Sequence, residues 1–106
     1  MPKYLWEVSY TAEGTKGVIK DGASRRRAVV DQLVKENGGR LEAFYYALGK
    51  ADAYVIAELP DTETAMAISM NVHAAGGATI RTIPLVAVED VDKATKMRVS
   101  YTAPGR

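Results

Sequence analysis

An arginine occupies a position where the helical pattern calls for an apolar residue. At about 100° per residue, Arg26 falls in the middle of the stripe formed by Ile19, Gly22, Val30 and Leu33. An arginine aimed that way at a sheet meets Trp6, Val8, Tyr10 and Tyr45. Burying a guanidinium without an anionic or hydrogen-bonding partner commonly costs several kcal/mol. The position therefore implies a partner, either a protein carboxylate or a bound carboxylate or phosphate held by the planar fork. The expected site is a pocket between the first helix and the sheet, with Arg26 as the anion holder and Trp6, Tyr10 and Tyr45 as aromatic walls. The competing reading is that Gly22 resets the helix phase, or that Arg26 reaches out to solvent.

Other residues carry weaker chemical signals. Ser24 followed by Arg25, Arg26 and Arg27 fits an anion at a helix start, although three consecutive basic residues are also what a solvated surface looks like. His73 is the single histidine and the one side chain whose ordinary pKa lies near neutrality. It sits beside Met66 and Met70 at helical spacing, where a packed or interface role competes with ligand binding. Asp52, after a tight turn, reads as a residue that bonds nearby backbone N–H groups rather than as a base. Pro2 behind Met1 could supply a secondary amine of the tautomerase kind, but the rest of such a pattern is missing.

These residues have to be positioned by a small number of elements. Lys3 to Tyr10 alternates as a strand, and Thr15 to about Asn37 follows as a helix that Gly22 weakens, so that 14–24 could instead be a loop or bent turn. Leu41–Leu48 and Ala53–Leu59 flank Gly49-Lys50-Ala51-Asp52, which reads as a β-hairpin. Asp61 is a good N-cap for a helix from Thr62 to about Ala75. Ala78 to Val88 gives a fourth strand, and Pro84 within it suggests an edge position or a bulge. Glu89 to Met97 reads as a short exposed helix, and residues 98–106 as a tail that could add a strand through Val99 and Tyr101. The order βαββαβ predicts an α+β, ferredoxin-like sandwich over residues 1–97: a four-stranded antiparallel sheet with two helices on one face.

Strand parity sorts the sheet. Tyr4, Trp6, Val8, Leu41, Ala43, Tyr45, Ala47, Ala53, Val55, Ala57, Leu59, Ile80 and Thr82 form an uncharged face suited to lie under the helices. The other face carries Leu5, Glu7, Ser9, Glu42, Phe44, Tyr46, Tyr54, Ile56, Glu58, Arg81 and Ile83. It is too apolar for a face left in water, so a homodimer or higher homo-oligomer is expected to cover it, the competing reading being a monomer whose tail folds over this face.

Composition narrows the functions. The chain of 106 residues has one domain's length, 47% hydrophobic and 25% charged residues, and a net charge of +1. That charge balance gives no basis for sequence-independent nucleic-acid binding. The absence of cysteine removes disulfides, thiolate catalysis and Cys-based metal sites, and one histidine makes a protein-built zinc site unexpected. No cofactor is expected. No stretch has the length of a membrane span and no apolar signal core precedes the first strand, so a cytoplasmic location is the default expectation.

Several segments carry a family resemblance. Pro2-Lys3-Tyr4-Leu5 with Ser9-Tyr10-Thr11, Gly22-Ala23-Ser24-Arg25-Arg26-Arg27, Gly38-Gly39-Arg40-Leu41-Glu42-Ala43-Phe44-Tyr45, the hairpin Gly49 to Asp52, Leu59-Pro60-Asp61 and Arg81-Thr82-Ile83-Pro84-Leu85 together resemble the GYD domain family. In the hairpin, Gly49 and Asp52 match the Gly-x-Tyr-Asp pattern, and Ala51 stands in place of its tyrosine. The resemblance implies a ferredoxin-like unit related to dimeric α/β barrels. It brings no established activity. Two readings follow: a binding module for a small anionic or aromatic metabolite, or a cofactor-independent enzyme of monooxygenase or isomerase type. A structural or partner-binding subunit is the third.

Overall fold

Tyr4 and Trp6 alternate with Leu5 and Glu7, and this alternation builds the central strand β1 (Lys3–Tyr10) of the computed structural model, which describes residues 1–106. The chain continues through α1 (Ala12–Asp21), α2 (Ala23–Glu36), β2 (Arg40–Tyr46), β3 (Ala53–Glu58), α3 (Thr62–Ala75), β4 (Ala78–Leu85) and α4 (Val88–Thr95). The four strands form one antiparallel sheet in the order β2-β3-β1-β4. The fold is the expected ferredoxin-like α+β sandwich. β4 lies at an edge, where Pro84 costs no ladder bond on its free side.

The long first helix is broken in two. Gly22 has φ 90°, a conformation only glycine takes without strain, and it ends α1 and begins α2 at once. Because the helix axis is redirected there, the two halves do not share one stripe. Ile19, placed on the apolar stripe by its spacing, is 78% exposed. On α2 the phase holds, and Arg26, Val30 and Leu33 face the same way.

The core lies between the sheet and the helices and consists of Tyr4, Trp6, Val34, Val55, Ala57, Leu59, Ala65 and Ile68. Ala53 and Ala57 on β3 are small enough to let the helices approach closely. Asp61 caps α3 as expected: its Oδ1 accepts from the Thr64 hydroxyl at 2.7 Å and the Thr64 N–H at 2.8 Å, which together hold its carboxyl below the usual range. On the opposite sheet face, Glu7 meets Arg81 at 4.0 Å and Glu58 accepts from Arg40 Nε at 3.2 Å. That bond lowers the Glu58 pKa.

One strand departs from strict alternation. β2 pairs Leu41 with Ala57 but Ala43 with Ile56, so Glu42 is an extra residue in a β-bulge. From there on, the facing of β2 is reversed relative to the parity expectation. Phe44 pairs with Val55 and packs against the core, while Tyr45 pairs with Tyr54 on the outer face. The fourth strand ends at Leu85 rather than Val88, and residues 98–106 add no strand.

Candidate functional site

The site is a cleft between the two helical walls. α2 packs on β2 and α3 on β4, and the cleft opens between the two above the core. The cleft encloses about 760 Å³, walled by Val18, Arg26 and Leu33 on one side and by Ile68, Asn71 and Val72 on the other. Beneath it lies an apolar recess of about 50 Å³ floored by Trp6, Phe44, Val55 and Ile80. Tyr10 and Arg26 line both spaces and so stand at the neck between them.

The end of the cleft is fixed by backbone contacts. The Thr11 side chain caps α1 by accepting from Gly14 N–H at 3.1 Å and donates to Gly76 O at 2.9 Å. Thr11 N–H donates to Gly77 O at 3.1 Å. Gly14 meets Gly77 so closely that a Cβ there would lie 1.8 Å from the Gly77 oxygen. Asp52 secures the adjoining strand end: its Oδ2 accepts from Tyr10 N–H at 2.8 Å and its own N–H donates to Val8 O at 2.8 Å. The aspartate of the hairpin motif is thus a structural clasp on β1, as the turn-bonding reading expects, and it holds Tyr10 at the neck.

Three polar groups converge there. Tyr10 has its phenol pushed up to about 12, first by burial and then by the nearby Tyr46 phenol, while the Arg26 guanidinium pulls in the opposite direction. Tyr10 therefore stays protonated at neutral pH and acts as a hydrogen-bond donor. The Tyr46 hydroxyl also reaches the start of α2, donating to Ala23 O at 3.4 Å. Arg26 makes no ion pair with any carboxylate, although Asp21 lines the same cleft. The first turn of α2 has no acidic residue and no side-chain cap, so its positive end faces the cleft beside Arg25 and Arg26. In the recess, Trp6 is 4% exposed and its indole N–H finds no acceptor within the protein.

The raised phenol gives a spectroscopic expectation. Folding favours protonated Tyr10, so its contribution to stability is full below the unfolded value of 10.0 and is lost as pH rises through about 12. In an ultraviolet alkaline titration, one of the six tyrosines should ionise near 12, and Tyr10→Phe should remove that step.

Of the residues expected at the site, the structure brings Arg26, Trp6 and Tyr10 together. Tyr45 is not with them. It is 73% exposed on the far side of the sheet because the bulge at Glu42 reverses β2, and Tyr46 and Phe44 take its place. His73 does not line the cleft either: its Nε2 accepts from Ile80 N–H at 3.0 Å, tying α3 to β4. The residue that sequence reasoning missed is Tyr46. Its only signal was its place next to Tyr45, and the bulge that decides between the two carries no glycine to announce it.

No three His, Cys, Asp or Glu side chains gather to hold a metal, and no helix is long and apolar enough to cross a membrane. A ferredoxin-like sandwich with a polar-necked cleft between its helical walls is the class of protein that fold and site define. The family model of the GYD domain matches residues 4–95, and the chain belongs to that family. A comparison with curated proteins finds no match.

Proposed function

We propose that this protein is a homo-oligomeric binding module that takes a small anionic or aromatic metabolite in the cleft between α2 and α3. The observation that carries the reading is Arg26: a half-buried guanidinium without a carboxylate partner, beside a phenol that stays a donor. A bound carboxylate or phosphate would supply the missing counter-charge, with the Tyr10 and Tyr46 hydroxyls and the start of α2 as further donors. The cleft volume lies within the range of small-molecule sites. The recess, well under the roughly 150 Å³ that holds a benzene in a protein core, suits a short alkyl group or the edge of a ring.

The groups at the neck favour binding over turnover. Tyr10 is held protonated and His73 stands outside, so neither is placed to take a proton from a ligand in the cleft. Self-association is proposed through the outer sheet face, where Leu5, Ile56 and Ile83 stand in register across three strands. The test is mass spectrometry of the protein under non-denaturing conditions straight from purification. A small acid carried by the wild type and lost in Arg26→Gln supports the reading; a ligand retained equally by both overturns it.

A further inference from the structure

We infer that the ligand of the cleft is an acid that also carries a hydrogen-bond donor, a hydroxyl or an ammonium group, and that the Asn71 side-chain oxygen receives it. The inference deepens the proposed anion site and rests on it.

The polar side chains lining the cleft fall into two kinds. Tyr10, Arg25 and Arg26 bring donors, whereas Asp21, Asn37 and Asn71 bring acceptors. An asparagine can do either, and here a backbone bond decides. Asn71 Nδ2 donates to Ala67 O at 2.8 Å, one turn back on α3. That bond turns the amide nitrogen to the helix and leaves Oδ1 as the group offered to a ligand. Asn37 is tied in the same way, through Leu33 O at 2.8 Å. It lies about 16 Å beyond Arg26 along α2, out of reach of a small acid held at the neck.

Asn71 stands on the facing wall at the height of the neck. Its neighbour Val72 lines both the cleft and the recess, as Arg26 does on α2, and Ile68 and Ala75, one turn to either side, line the cleft with it. An acid whose anion is held by Arg26 therefore lies against Asn71. Asp21 brings to the same cleft a carboxylate with no ion pair, so an ammonium group is as well suited as a hydroxyl. Asn71 is exposed, and its oxygen bonds water until a ligand covers it. A ligand with a donor replaces that bond and one without a donor forfeits it. The donor thus selects among acids, while the anion drives binding.

Calorimetric titration of the wild type with butyrate and with its monohydroxy and monoamino derivatives tests this. At least one derivative should bind about three- to tenfold more tightly than butyrate, and the hydroxy and amino arms show which donor is taken. Asn71→Leu, folded by circular dichroism, should erase that preference without weakening butyrate. Asn71→Asp, which keeps an acceptor, should retain it. Butyrate binding that depends on Arg26, with no derivative bound more tightly, would overturn the inference and leave the anion site standing. A preference that survives Asn71→Leu would overturn it as well. No binding by any of these acids would overturn both the inference and the anion site beneath it.

Discussion

Arg26→Gln should weaken binding of a small carboxylate in the cleft by roughly 10- to 100-fold while leaving thermal stability unchanged or raised. The two effects come from one cause. A hydrogen bond to a charged group is worth about 1.5–3 kcal/mol, and glutamine keeps the length of the side chain but neither the charge nor the fork. Within the chain the guanidinium has no ion-pair partner to lose, and relieving a half-buried charge of its desolvation offsets the lost packing of its stem. Arg40→Gln is the control. Its guanidinium bonds Glu58 at the far edge of the sheet, so affinity should not change. Calorimetric titration with benzoate and isobutyrate, alongside thermal melts of the three proteins, separates these outcomes. Equal affinity in wild type and Arg26→Gln would remove the anion site.

The second large effect concerns two glycines on one helix. Gly14→Ala should destabilise the fold by about 3 kcal/mol or more, whereas Gly17→Ala should stabilise it by about 0.5–1 kcal/mol. Helix propensity alone predicts that both changes stabilise. The difference lies in what surrounds each Cα. A methyl group at position 14 would lie 1.8 Å from the Gly77 carbonyl oxygen, which is backbone and cannot swing aside, while nothing lies within 4 Å of one at position 17. To admit the methyl, α1 must lift from the α3–β4 junction, which breaks the Thr11 N–H bond to Gly77 O and opens the end of the cleft. Chemical denaturation of the two variants should therefore give shifts of opposite sign. Two shifts of the same sign would contradict the close crossing of Gly14 and Gly77.

The order of elements was legible in the sequence because each boundary had a local cause. Asp61 caps α3 through Thr64, Asn37 and the glycines after it end α2, and Pro84 marks β4 as an edge. Arg26 was legible too, since its spacing to Val30 and Leu33 survives intact within α2. What failed was long-range phase. Alternation in a strand has period two, so the extra residue Glu42 turns everything after it over. Tyr45 left the site and Tyr46 entered it for that reason alone. Ile19 failed similarly, because the turn at Gly22 sets α1 and α2 at different angles and a stripe drawn through both has no physical counterpart. Neither error reached Arg26, Trp6 or Tyr10, which lie on segments without an internal break.

The central claim is that the neck formed by Arg26, Tyr10 and Tyr46 receives an anionic group. An amide-resolved NMR titration with small carboxylates and phosphate esters tests it most directly. At least one of these anions should perturb Tyr10, Arg26 and Val72 in the wild type, with the same amides silent in Arg26→Gln. Perturbations confined to other parts of the chain, or unchanged by the Arg26 substitution, would contradict it.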